Sequence, residues 1–364
     1  MVDWKTALTI FRTSKLSSFP SAGYYIIITA ALLAALVHVI AKSLLSSPEF
    51  DGFEINPIVL AACIYIINGV FFTPISRKCE PIRKMGSRNL VLITIIGIAE
   101  VSALITYFFG LKDSTAVNAS IFSNGEIIFS LIIAITIYRE RLQKKELTPF
   151  SMILFGMIVL PLGYDFYQHG IALSNIVFGD LLIIFSGFLY AIDINICKYV
   201  SDRFDSKRIA QLTSFVSGIF ALSLIFVFQI PFDINFEQIP GIAVLAIFGT
   251  GISTLFFLIA LRLIGAVRTI LIYSTTSIFG IIFSIIFLSE AITIVNIISI
   301  GMVMGGIYLL RNRLRDENKD QADDSIPSHL EQQTRRTLNN ETTKSQCIQK
   351  SVLSNICVKV RGWI

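Results

Sequence analysis

Tyr107-Phe-Phe-Gly-Leu-Lys-Asp-Ser-Thr-Ala-Val-Asn-Ala119 has an echo about 150 residues on, in Leu258-Ile-Ala-Leu-Arg-Leu-Ile-Gly-Ala-Val267. Sliding the chain by 150 lays Leu111-Lys112 on Leu261-Arg262 and Ala116-Val117 on Ala266-Val267. The register then holds without a gap: Phe129 falls on Phe279, Glu140 on Glu290, Met152 on Met302 and Gly156 on Gly306. A slide of 156 aligns an earlier pair of stretches, placing Gly23 on Gly179, Ala35 on Ala191 and Lys42 on Lys198. The chain is therefore one unit written twice.

The unit is made of apolar runs. Ten stretches approach the roughly 20 apolar residues that cross about 30 Å of hydrocarbon: 22–41, 56–75, 89–109, 116–138, 148–164, 175–197, 209–230, 239–261, 267–288 and 292–310. They are dominated by Ile, Leu and Phe without strict alternation, so they read as helices rather than barrel strands. Composition agrees: 54% of the 364 residues are hydrophobic, 15% are charged and the mean hydropathy is +0.72. An average soluble domain carries about 25% charged residues, so an ordinary soluble enzyme is excluded. The segment 1–21 followed by an apolar run loosely resembles a signal peptide. The run is too long for an h-region and similar runs follow it, so it is read as a retained first span.

Basic residues are sorted by loop. With the N-terminus on the cytoplasmic side, 18 of the 30 Lys and Arg fall in inside segments and 10 in the residues after 310. Only Lys42 and Lys112 fall outside. That asymmetry orients the spans with both termini cytoplasmic, and it removes any nucleic-acid reading of the net charge of +5. Because each copy has five helices, an odd number, the second must insert upside down. The expectation is an all-α integral membrane protein: ten transmembrane helices in two inverted five-helix repeats, 22–164 and 175–310. A cytoplasmic segment, 1–21, precedes them. The polar residues 311–364 read as a largely disordered cytoplasmic tail.

Inverted repeats are frequent in secondary transporters, where exchanging the conformations of two similar halves opens one site to alternate sides. The residues quoted also resemble a known family. Tyr107–Ala119, followed by an apolar helix closing on Tyr138-Arg-Glu-Arg-Leu142, is similar to the signature half of EamA-type transporters. Its echo is Leu258–Val267 closing on Leu288-Ser-Glu-Ala291. These transporters belong to the drug/metabolite transporter superfamily. The resemblance covers about 22–310. It implies two inverted EamA repeats around a central substrate cavity, and export or import of amino acids, metabolites, sugars or drugs. Small multidrug-resistance relatives carry a first-helix glutamate; span 22–41 has no acid, which speaks against that form of proton antiport.

Charged groups inside a bilayer tend to face a cavity or a partner. Glu100 and Glu126 sit near mid-span and read either as a proton-coupling or cation-binding pair, or as glutamates hydrogen-bonded between helices. At 100° per residue, Ser120, Ser123, Asn124, Glu126 and Ser130 share an arc of roughly 160°. That arc is a cavity wall or a set of interhelical hydrogen bonds. Tyr273, Ser274, Thr275, Thr276 and Ser277 lie at matching depth in the second copy, which strengthens the cavity reading. Ser186, Tyr190, Asp193 and Cys197 form one stripe; Asp193 binds a substrate amine or pairs with Lys198. The matching face of the first span is Ala30, Ala34, Val37 and Ala41, suited to close packing. His38 reads as packed and hydrogen-bonded, with a gate or relay as the alternative. Arg268 snorkels to the interface or attracts a substrate carboxylate. Gly249-Thr250-Gly251 allows close helix approach or flexing. Glu140 and Glu290 orient loops.

The candidate substrate or ion site is thus Glu126, Glu100, Asn124, Ser123, Ser120, Asp193, Tyr190, Tyr273, Thr276 and Arg268. Five cysteines and three dispersed histidines offer no metal-ligand spacing. No Walker A, GxSxG, HExxH or dinucleotide fingerprint stands in a usable context, so neither cofactor nor enzyme is expected. The expected partners are a small-molecule substrate, the lipid bilayer of the cell membrane and a coupling proton or ion, with a homodimer left open. The rival readings are a membrane-embedded enzyme on a lipid-linked substrate and a non-transporting interaction protein.

Overall fold

The computed structural model describes residues 20–46, 54–79, 82, 85–138, 147–156, 175–201 and 203–324. The first half contains α1 (Pro20–Ser46), α2 (Pro57–Ser76), α3 (Ser87–Asp113), α4 (Ala116–Phe122), α5 (Gly125–Tyr138) and α6 (Leu147–Leu154). The second contains α7 (Asn175–Ser201), α8 (Ser206–Val227), α9 (Ile239–Val244), α10 (Ser253–Ile264), α11 (Ala266–Tyr273), α12 (Thr276–Leu288) and α13 (Ile294–Asp324). A π-helical stretch, Leu245–Ile252, joins α9 to α10. The described residues form no strand.

Helix starts follow local chemistry. Asn56, Thr115 and Asp205 each accept a hydrogen bond from a backbone N–H of the turn they precede, at 2.9, 3.0 and 2.9 Å. Pro57 follows Asn56 at the first helical position, where its missing N–H costs nothing.

Seven segments among the described residues are long and apolar enough to cross a membrane. They lie in α1, α2, α3, α7, α8, the run Phe236–Ile264 and the run Arg268–Leu288. The other three expected spans are not among these seven. The stretch 116–138 is a helix interrupted at Ser123-Asn124. Residues 157–164 lie outside the described residues, so 148–164 is seen only at its start. The apolar part of α13, Ile294–Leu309, is short. The last helix also runs on to Asp324, past the expected span end at 310. Residues 311–324 include Arg, Leu, Glu, Lys, Gln and Ala, strong helix formers even when polar. The remainder of the expected tail, 325–364, and the segment 1–19 lie outside the described residues. The chain divides into two units, 1–311 and 312–364.

Packing between the halves is reciprocal. α3 and α5 pack along α7, α10 and α12 pack along α1, and α2 packs along α8. Each first helix of a half is thus held between the third and fourth spans of the other half. Glycine makes one of these approaches: a Cβ at Gly110 would lie 2.5 Å from the Gly179 carbonyl, and one at Gly179 would lie 2.7 Å from the Gly110 carbonyl. Neither backbone can yield without separating α3 from α7. Gly179→Val is expected to destabilise the protein by about 2–3 kcal/mol, read as a lowered Tm in detergent; an unchanged Tm would contradict this packing.

Candidate functional site

The two helices that interrupt the regular packing are equivalent in the two copies. α4 ends at Phe122 and α5 begins at Gly125; α11 ends at Tyr273 and α12 begins at Thr276. Breaks in apolar helices are tolerated where the freed backbone groups find partners. Here they find the polar side chains of the same turns. Ser123 Oγ donates to Ser120 O at 2.9 Å, and Asn124 Nδ2 to Ile121 O at 3.1 Å. In the second copy Ser274, Thr275 and Thr276 hydroxyls donate to the carbonyls of Leu271, Ile272 and Tyr273 at 2.7, 2.8 and 2.6 Å. The breaks also meet: Asn124 Nδ2 donates to Ser277 Oγ at 2.6 Å. Asn124→Ala is expected to lower Tm by removing this bond and leaving Ser277 Oγ without its amide donor, about 1–2 kcal/mol; an unchanged Tm would show that the bridge contributes nothing.

Between the breaks lies a cavity of about 160 Å³. α3 contributes Glu100 and Tyr107, the first break Ser123, Asn124 and Glu126, and α7 Ser186, Tyr190 and Asp193. The second break contributes Tyr273, Ser274, Thr276 and Ser277. α1 contributes Ala34, Val37 and His38, α2 contributes Tyr65, and the π-helical stretch contributes Gly249 and Thr250.

Three carboxylates therefore share one cavity. The Tyr65 and Thr213 hydroxyls stand near the Glu100 carboxylate. Asp193 has one carboxylate oxygen, Oδ1, buried without a hydrogen-bond partner. Glu126 stands in the first turn of α5, where the helix N-terminus favours negative charge. No lysine or arginine lines the cavity among the described residues.

The cavity is flanked differently at its two ends. Beyond Tyr107, which is hydrogen-bonded to His38 Nδ1, the turn from α3 to α4 is tied by charge. Lys42 Nζ donates to the carbonyls of Leu111, Lys112 and Ser114 at 3.0, 3.0 and 2.6 Å. Glu290 accepts from the backbone N–H groups of Ala116 and Val117, each at 2.9 Å. Asp180 accepts from Ser114 Oγ and from Asn118 Nδ2. At the opposite ends of α3 and α7, Phe72, Ile93, Ile96, Cys197, Leu255 and Leu258 form one buried apolar cluster, and on the neighbouring turns of α2 and α8 Gln211 is hydrogen-bonded to Ser76, Thr73 and Arg208.

The sequence model of the EamA-like transporter family matches residues 21–161 and again 177–312, one copy over each half. The chain belongs to the EamA-like transporter family. An uncharacterized transporter of Methanothermobacter thermautotrophicus (strain Delta H) is 30% identical over 303 residues, covering 79% of this chain and 85% of that protein. A protein crystal structure shares the fold at a TM-score of 0.59 and 17% identity, over 81% of this chain and 98% of its own. The chain is thus a multi-pass membrane transporter by family, built from two EamA repeats.

Within this EamA-like protein, Glu126, Glu100, Asn124, Ser123, Asp193, Tyr190, Tyr273 and Thr276 all line the cavity. Ser120 and Arg268 do not. Ser120 is fully buried, donates to Ala116 O at 2.8 Å and packs against Gly280. Ser130 accepts from Asn195 at 3.0 Å, an interhelical bond. Arg268 is exposed at the start of α11, as snorkelling requires. The expected Asp193–Lys198 pairing is absent: five residues place them about 140° apart on a helix, so Asp193 faces the cavity while Lys198 is exposed. Cys197 leaves its stripe for the apolar cluster. Thr250 accepts from Asn68 at 2.8 Å, and Gly251 lets that asparagine approach the π-helical backbone. Glu290 orients a turn by capping it; Glu140 lies outside the described residues. Tyr65 and Tyr107 are cavity residues that the sequence did not single out. A tyrosine in an apolar helix reads as core or interface, and only its mid-span depth would have marked it.

Proposed function

We propose that this EamA-like protein is a secondary transporter that moves a small metabolite, amino acid or drug-like solute across the cell membrane by alternating access. The observation that carries this reading is the polar cavity between two helices broken at equivalent points of the two copies. Broken helices at a repeat interface are where transporters of inverted-repeat design hold their substrates. The full architecture is proposed as ten spans in two inverted halves, 22–164 and 175–310, with both termini cytoplasmic. The eight cavity-lining candidates form the solute site, and Glu126 with Glu100 and Asp193 couples solute movement to a proton or another cation. The unequal ends of the cavity suit a two-state device: the polar ties at Lys42, Asp180 and Glu290 hold one end, and the apolar cluster holds the other.

The test is flux into liposomes holding the purified protein, across a panel of amine, zwitterionic, neutral and anionic solutes. At least one solute should cross tenfold or more faster than into empty vesicles. If none does, the transport reading falls. Removing 325–364 should leave that flux within about twofold, since the removed residues lie beyond both family-matched halves; its collapse would favour a role in partner recruitment.

A further inference from the structure

The chemistry of the cavity is one-sided. Glu100, Glu126 and Asp193 bring three acidic groups to a space of about 160 Å³, and no lysine or arginine lines it among the described residues. Arg268, the one candidate for pairing with a substrate carboxylate, stays exposed outside it. The described residues supply no ion pair to any of the three. Asp193 keeps a buried oxygen without a donor. His38, only 5% exposed and lining the same cavity, keeps Nε2 without a partner. Buried carboxylates unpaired with a cation are costly in a membrane, and a buried acceptor without a donor costs more than an ordinary hydrogen bond returns. Both deficits are met by a ligand that brings positive charge and N–H donors.

The remaining lining decides what kind of cation. Tyr65, Tyr107, Tyr190, Tyr273 and Phe257 present aromatic rings, and Leu104 and Ile194 add aliphatic surface. Ring faces attract ammonium groups, more strongly when water is excluded. No three acidic, histidine or cysteine side chains among the described residues are grouped closely enough to hold one metal ion. The space is also far larger than a single desolvated ion needs. A spread of carboxylates around an aromatic chamber fits an extended organic cation whose ammonium reaches one acid while its body lies on the rings.

We infer that the solute taken by this cavity is an organic ammonium cation with an apolar or aromatic body, carrying no carboxylate or phosphate. The inference rests on the transport reading for its physiological consequence and on the cavity alone for its chemistry. The N-terminal ends of α5 and α12 also meet the cavity. At α5 the charge is already answered by Glu126, so an anion would be left with the α12 end and three repelling carboxylates.

Three size-matched probes test this: phenethylamine, 2-phenylethanol and phenylacetate. Each is used in two measurements on the full chain, thermal stabilisation in detergent and flux into liposomes. Phenethylamine should raise Tm and cross at least tenfold faster than into empty vesicles, with the other two near background. Asp193→Asn, an isosteric change, should weaken the phenethylamine response at least tenfold; Tyr308→Phe, at an exposed ring outside the cavity, should retain it within threefold. Phenylacetate stabilising and crossing while phenethylamine does neither would overturn the substrate class and leave transport standing. Phenethylamine stabilising the protein with no probe or panel solute crossing would overturn transport and leave the cation site standing. No response to phenethylamine in either measurement overturns the inference.

Discussion

Glu126→Gln should lower solute flux in liposomes about a hundredfold while leaving Tm unchanged or raised. Glu126 stands where the first helix break opens onto the cavity, and no hydrogen bond or ion pair to its carboxylate occurs among the described residues. Glutamine keeps the volume and the acceptor oxygen and removes only the charge and the exchangeable proton. The α5 N-terminus answers this charge only in part, and a carboxylate in a membrane cavity without an ion-pair partner is a stability cost, so deleting it does not weaken the fold. The same charge, in the transport reading, is what recognises the solute or carries the coupling proton. A hundredfold loss corresponds to about 2.7 kcal/mol, the scale of one charge-assisted interaction in a dry site. Flux at the wild-type rate would remove Glu126 from the mechanism. A matching fall in both flux and Tm would make it a structural residue.

Lys42→Met should loosen one end of the cavity selectively. The ammonium holds three carbonyls at the α3–α4 turn, at 3.0, 3.0 and 2.6 Å. Charge-assisted hydrogen bonds contribute about 1.5–3 kcal/mol each, and bonds sharing one donor group are not additive. A loss of about 3 kcal/mol is expected, which shifts a two-state equilibrium roughly 150-fold away from the tied state. Amide hydrogen exchange reads this locally: protection should fall across 107–119 and stay unchanged at Ile93 and Ile96, in the apolar cluster at the far end. Uniform loss of protection would mean global destabilisation, and no change would mean the lysine is not a tie.

The all-helical membrane fold in two EamA copies was legible because membrane segments announce themselves by length and composition, and because the 150-residue slide keeps register through Glu140 and Glu290. The cavity wall was legible as far as helical geometry carries: Glu126, Asn124 and Ser123 on one arc, and Tyr190 and Asp193 on one stripe. The breaks themselves were not. Ser274-Thr275 has no proline or glycine beside it, and the first break carries only Asn124-Gly125, a turn dipeptide in the middle of an apolar run; the stops depend on each turn satisfying its own carbonyls and on Asn124 reaching Ser277. Ser120 was misplaced because an arc of 160° is wider than the wall it faces. Arg268 was placed by charge, while its exposure was decided by its position at the edge of a span. Lys42 read as a loop charge; its three carbonyl acceptors are on another helix end and have no sequence signature.

The central claim is that one cavity is reached from each side of the membrane in turn. Ser123 lines it between the breaks, and Ser123→Cys changes one atom. In a background where the five native cysteines are replaced by serine, the new thiol can be probed with a membrane-impermeant alkylating reagent added outside sealed vesicles, or trapped inside them. Labelling from both sides, slowed at least fivefold from either side by a transported solute, is the predicted result. Labelling from one side alone, whatever the solute, would contradict alternating access.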